Sequence, residues 1–256
     1  MPHVDASSAP ALTSDLAAGG DRPVLTYCSD VTGERIDFTA HALGSWVART
    51  ANMLRDGYGC EAGDHAAVLL PSHWQTASVL LGAWSLGMTL SIRPWATAGL
   101  PIQDGELDWP LQTLFVSTRR LGSWLEDIPD ARHRFALDLE PDAGLGRRVP
   151  ADYLDYLAEA LKHPDVAPEQ QPAWQAELAT ADGTSFQEWM DLAADLARSM
   201  ELRAGDRLLV DADRNEQPVK WLLAPLAVGA SIVLCAGLGE GGLQQRAARE
   251  GATHVM

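Results

Sequence analysis

The chain has 256 residues, 46% hydrophobic and 21% charged, so it is neither a disordered polymer nor a fibre and is long enough to bury a core without disulfide or metal staples. Its 35 acidic and 19 basic residues leave a net charge of -16, which repels phosphate backbones and anionic lipid and argues against nucleic-acid or membrane partners. No apolar run approaches a membrane span. Residues 1–20 lack a basic n-region and an apolar h-region, and read as a disordered tail rather than a secretory signal.

Val24–Cys28 and Arg35–Phe38 read as short strands around an Asp30–Gly33 turn. Thr39 offers an N-cap for a helix whose apolar face is Leu43, Trp46, Val47, Ala51 and Leu54, ended by Gly57 and Gly59. A Gly63-Asp64 turn, a buried strand Ala66–Leu70, a helix from Trp74 to Gly87 and a strand Met88–Ile92 follow, which is a βαβ unit with parallel pairing. Leu111–Val116 and Arg134–Leu139 read as strands and Tyr153–Leu161 as a helix. The polar, proline-bearing run at 164–173 reads as a linker or surface loop between a first lobe, 21–163, and a second, 174–256, with one continuous domain as the alternative. In the second lobe, a helix Ser185–Met200, a Gly205-Asp206 turn, a strand Leu208–Asp211, a helix Val219–Val228 and a strand Ala230–Cys235 repeat the earlier order.

A shift of 142 residues lays one block on the other. Ala51, Leu54, Gly63, Asp64, Val68, Leu80, Leu81 and Gly87 meet Ala193, Leu196, Gly205, Asp206, Val210, Leu222, Leu223 and Gly229. The fold class predicted is therefore α/β: a layered, mostly parallel sheet with flanking helices, built from two repeated αβαβ units, with a possible ligand crevice between the half-sheets.

The ordered set Asp30, Gly33-Glu34-Arg35-Ile36, Arg49, Ala51, Leu54, Gly63-Asp64, Val68, Pro71, Ala83 and Gly87 resembles the N-terminal part of the AMP-forming acyl-CoA synthetase, or adenylate-forming, superfamily. Gly205-Asp206-Arg207, Pro225-Leu226, Gly229-Ala230 and Val233-Leu234 resemble the stretch after that family's phosphate loop. The resemblance implies that Thr180–Phe186 stands where the family has a Ser/Thr/Gly-rich loop ending in Pro-Lys-Gly, which offers N–H groups, hydroxyls and an ammonium to ATP phosphates. Asp182, Gly183, Thr184 and Ser185 would be the remnant of that cofactor-binding loop, without its lysine; Lys162 and Lys220 are the chain's lysines. Asp182 puts a carboxylate where phosphate would sit. A rival reading makes Asp182, Thr184 or Ser185 a helix cap, with Glu188 completing a capping box after Ser185. The family's adenine motif, ribose-binding Asp and lid lysine have no counterpart in the sequence.

His73 and Trp74 open a helix above a parallel sheet and are candidate ligand residues, although such residues more often form a staple or half-buried core. Gly237-Leu238-Gly239-Glu240-Gly241-Gly242 fits G-x-G-x-x-G but lacks the acidic ribose ligand about twenty residues on. Trp95 and Trp109 bracket a Gly/Pro/Asp loop and suggest a lid or interface. Cys28, Cys60 and Cys235 read as thiols of a reducing cytoplasm. The histidines show no metal spacing, and no G-x-S-x-G elbow exists, so neither metal nor hydrolase catalytic residues are expected.

The expectation is a non-catalytic, cytoplasmic acyl-CoA-synthetase-like binding or partner protein that pairs with another protein or with itself. Two alternatives are one subunit of a split AMP-forming ligase and an acyl or acyl-CoA sensor with an apolar crevice near Trp74 and Trp84. No cofactor is expected for the chain alone, and ATP or AMP only where a partner completes the site.

Overall fold

The computed structural model describes residues 21–94, 109–123, 128–139, 149–168, 178–239 and 241–256. The tail 1–20, Trp95, Glu240 and linker residues 169–173 lie outside them. An N-terminal hairpin, β1 (Pro23–Ser29) and β2 (Arg35–Thr39), leads into helix α1 (Ala40–Asn52), where the Thr39 hydroxyl accepts from the Ala42 N–H at 3.2 Å. A π-turn, Met53–Gly57, extends α1. Then come β3 (His65–Leu69), α2 (Trp74–Ser85), β4 (Thr89–Ile92), β5 (Leu111–Ser117), α3 (Thr118–Leu121), β6 (His133–Leu137), β7 (Leu154–Asp155) and α4 (Tyr156–Ala160). The second block holds α5 (Phe186–Ser199), β8 (Arg207–Asp211), a π-turn Val219–Leu223, α6 (Ala224–Ala227), β9 (Ser231–Ala236), α7 (Gly242–Glu250) and β10 (His254–Val255).

The strands form two five-stranded sheets. One, ordered β4-β3-β5-β6-β7, is wholly parallel; the other, β10-β8-β9-β1-β2, is parallel except for the β1–β2 hairpin. The strands alternate their apolar side chains between two faces, as a two-residue period requires. Leu208, Val210, Ile232 and Leu234 join Val68, Phe115 and Phe135 in one central cluster with α1, α2, α5 and the second π-turn. Leu209 and Val233 face outward under α7, and Ala67, Leu69, Leu114 and Val116 form a third cluster outside the parallel sheet with Leu121 and Tyr153. Sheets with helices on both faces are what continuous apolar strands demand. Every residue from Trp74 to Trp84 is buried, which identifies α2 as the central helix.

The duplication holds at the level of individual hydrogen bonds. His65 pairs Thr89 in the first block, and Arg207 pairs Ser231 in the second, both pairs displaced by the same 142 residues. Gly63 N–H donates to Gly87 O at 2.9 Å, and Gly205 N–H to Gly229 O at 3.0 Å. All four glycines take positive φ, between 73° and 87°, where a side chain is strained. Asp64 accepts the Glu61 N–H and Asp206 the Arg203 N–H, each at 2.8 Å.

The two expected lobes exchange elements. β1, placed with the first lobe by its sequence position, pairs in parallel with β9 of the second block. Conversely, the start of the second block, at Thr180, bridges Leu90 on the first block's sheet. Among the described residues, one hydrophobic cluster draws on both sheets.

Candidate functional site

The segment 178–185 folds as a tight turn on the edge of β4. Leu90 N–H donates to Ala179 O at 3.0 Å, Ala181 N–H returns to Leu90 O at 3.1 Å, and the Trp84 indole holds Ala179 O at 3.0 Å. The strands here run parallel, so residues 181–184 lie toward the carboxyl end of β4, the side on which open α/β sheets bind ligands.

Within the turn, the groups that would meet a phosphate meet a carboxylate of the chain. Asp182 Oδ1 accepts from the Thr180 hydroxyl at 2.6 Å, the Thr184 hydroxyl at 2.8 Å and the Thr184 N–H at 3.1 Å. Burial pushes the Asp182 carboxyl up, yet these donors together hold it below its ordinary value. Ser185 caps α5 in a complete capping box, its N–H and hydroxyl both donating to Glu188 at 2.8 Å. Thr180 Oγ1 also accepts from the Trp189 indole at 2.9 Å. The structure thus brings Asp182, Gly183, Thr184 and Ser185 together as one turn, and makes caps and an internal acceptor of them.

His73 and Trp74 are buried, 3% and 6% exposed. His73 caps α2, its Nδ1 accepting from Gln75 N–H at 3.1 Å, and its ring meets Tyr27 edge-on at 4.3 Å. Trp74 packs between Phe38 and Trp46, with centroids at 5.0 and 5.3 Å. Both rings belong to the core that joins the hairpin to α1 and α2. Trp109, 55% exposed, stacks on His65 with the rings 3° from parallel.

Two features of the strand-end loops were not read from the sequence. Ser72, leaving β3, donates to Asn215 O at 2.6 Å in the loop leaving β8, so the repeated units meet at their strand ends. In the glycine loop after β9, the Gly237 N–H donates to Asp213 Oδ2 at 2.8 Å. A carboxylate of the chain therefore takes the first N–H of the G-x-G-x-x-G segment too. The Ser72–Asn215 bond joins residues 143 positions apart and has no local signal in the sequence. Among the described residues no cluster of three or more His, Cys, Asp or Glu side chains is arranged to hold a metal, and no helix is long and apolar enough to cross a membrane.

No family model matches the chain. It is 32% identical over 237 residues, 91% of each sequence, to a "TIGR03089 family protein" of Mycobacterium tuberculosis (strain ATCC 25618 / H37Rv). Among solved structures it superposes on an acyl-CoA synthetase of Brucella canis with a TM-score of 0.74 and 20% identity, over 96% of this chain and 46% of that one. An acetoacetyl-CoA synthetase from Streptomyces lividans gives 0.72 and 20%, over 96% and 41%. The anthranilate CoA ligase AuaEII, solved with anthranoyl-AMP, gives 0.62 and 16%, over 87% and 43%. The expected resemblance to the acyl-CoA synthetase superfamily is borne out at the level of the fold, and the chain spans less than half the length of these structures.

Proposed function

We propose, from the premise that this chain belongs to the TIGR03089 family, that it is a non-catalytic protein of acyl-CoA-synthetase fold, working in the cytoplasm as a binding or partner module for another protein or a second copy of itself. One observation carries this reading: the turn at 180–185 has its hydroxyls and the Thr184 and Ser185 N–H groups bonded to Asp182 and Glu188. A phosphate entering there must displace those bonds and sit against a carboxylate. Two like unit charges at ~4 Å repel by about 1 kcal/mol in water and about 4 kcal/mol near a protein surface. The turn itself carries no lysine to offset that repulsion; Lys162 is paired with Glu159 and Lys220 lies in the second π-turn. Adenylation draws its rate from positioned charge, and this turn carries the wrong sign.

The test is pyrophosphate release by the purified chain with Mg·ATP and a panel of carboxylic acids. The reading expects none above the rate without protein; release with any acid overturns it.

A second reading, one subunit of a split AMP-forming ligase, draws on the chain's extent: it aligns with 41–46% of two CoA synthetases. Under that reading, adding a companion polypeptide that carries an adenine motif and a lid lysine turns on pyrophosphate release. Under the first reading it does not.

A further inference from the structure

Outside the central core, β1 and β9 carry two thiols. Cys28 and Cys235 are direct partners on these parallel strands, so their side chains leave the sheet on the same face. Their Sγ atoms lie 2.8 Å apart, inside ordinary non-bonded contact for two sulfurs. Neighbouring strands are ~4.7–4.9 Å apart, and a disulfide spans Cα separations of ~4.4–6.8 Å, so the backbone already stands at bridging distance.

The surroundings distinguish the two sulfurs. The hydrogen bond from Cys235, with Arg246 and Arg35 nearby, holds the Cys28 thiol below its ordinary value against burial and Glu250; the Cys235 thiol is correspondingly raised. The remaining thiol, Cys60, is buried in the main core and pushed up to about 12 by burial and Asp64. Reactivity follows thiolate character, which favours Cys28 over Cys60.

Access lies under α7. That helix buries only Ala247 among its residues and is tied down by ion pairs, Arg246 to Asp30 and Glu250 to Arg35 at 2.6 Å and to Arg207 at 3.5 Å. The small cluster beneath it, Cys28, Leu209, Val233, Cys235 and Ala247, is separate from the central one, so reaching the thiols requires local opening at α7 and not of the interior.

We infer that Cys28 and Cys235 form a reversible disulfide when a peroxide is present, joining the N-terminal hairpin covalently to the sheet of the second unit. The Cys28 thiolate attacks one peroxide oxygen; an S–O bond forms, the O–O bond breaks, and the leaving hydroxide takes a proton to become water. Cys235 then attacks the Cys28 sulfur; the S–S bond forms, and the sulfenic hydroxyl leaves with the Cys235 proton as a second water. The two thiols lose two electrons and hydrogen peroxide gains them. A dithiol reductant reverses the step by exchange. The bridge closes a span of 207 residues, which restrains the unfolded chain and raises the thermal midpoint by several degrees.

The experiment treats the full chain with hydrogen peroxide, alkylates it in denaturant and maps the peptides by mass, with thermal melting of the same samples. The expected result is a Cys28–Cys235 peptide, Cys60 alone alkylated, a raised midpoint, and full reversal by dithiothreitol. In Cys235→Ser the expected product is a Cys28 sulfenic acid trapped by dimedone; if that variant fails to fold, the map of the unsubstituted chain decides alone. Three alkylated cysteines, a bridge to Cys60 or a lowered midpoint overturns the inference.

Discussion

Leaving β3, the first unit runs Leu70-Pro71-Ser72-His73 into α2, a helix buried from Trp74 to Trp84. Leaving β8, the second runs Ala212-Asp213-Arg214-Asn215 into a π-turn and the short α6. The strands superpose in register, yet one strand end is built for burial and the other for polar contact. Backbone geometry is therefore held by the shared punctuation, Gly63-Asp64 with Gly87 and Gly205-Asp206 with Gly229, while the intervening side chains are free to diverge. Fold and site lie on different links of the chain of causes, so a common fold with the CoA synthetases does not carry their chemistry with it.

Substitutions at matched positions of the two units should have unequal effects. Trp221 corresponds to Val79; both are fully buried, and the Trp221 Nε1 has no hydrogen-bond partner among the described residues. Trp221→Ala is expected to cost about 3–5 kcal/mol in urea unfolding, against about 2 kcal/mol for Val79→Ala, because the second unit fills its centre with one large ring. Trp221→Phe costs far less than Trp221→Ala, since no bond is lost.

The next pair is Gly82 and Ala224. A Cβ on Gly82 would meet the Thr50 Cβ at 2.7 Å and the Val47 carbonyl at 3.1 Å, whereas Ala224 already carries its Cβ in a buried position. Gly82→Ala should destabilise by about 1–3 kcal/mol through overpacking of α1 on α2. Ala224→Gly should cost about 1–2 kcal/mol, through helix propensity and the loss of a buried methyl. A Gly82→Ala variant as stable as the parent would mean that α1 and α2 do not meet closely at Gly82.

At the entrance to α5, Ser185→Ala removes the hydroxyl half of the capping box and should cost about 1 kcal/mol. The smallest effect is in acid. The Asp182 carboxyl is held below its unfolded value, so its contribution is present above about pH 4 and lost as pH falls through the folded value. Asp182→Asn should flatten that part of the acid-unfolding curve by lowering stability at neutral pH toward its acid value, a small loss because the group is exposed. An unaltered acid branch would mean that the Thr180 and Thr184 bonds do not favour the charged form.

Much of this architecture was legible in local pattern. The 142-residue shift located β3 and β8 and the glycine turns, and the Ser185–Glu188 spacing announced the capping box, because each depends on residues close in sequence. What escaped was non-local. Nothing in Val24–Cys28 says that it pairs with β9 rather than with the sheet that follows it, and Cys28 and Cys235 meet only because of that pairing. His73 and Trp74 looked ligand-facing because helix starts above parallel strands often are. The second sheet, laid over them through Tyr27 and Phe38, turned the position into core. Asp182 was read as a repulsive charge, but its role as acceptor for the turn's own donors required the folded geometry.

Calorimetric titration of the purified chain with Mg·ATP and with AMP at moderate salt shows whether that turn is closed to phosphate. A turn closed by Asp182 and Glu188 gives no saturable heat with either nucleotide and no shift in thermal midpoint. Micromolar binding that is lost in Thr184→Val would contradict it, showing that the Thr180–Ser185 turn opens to phosphate.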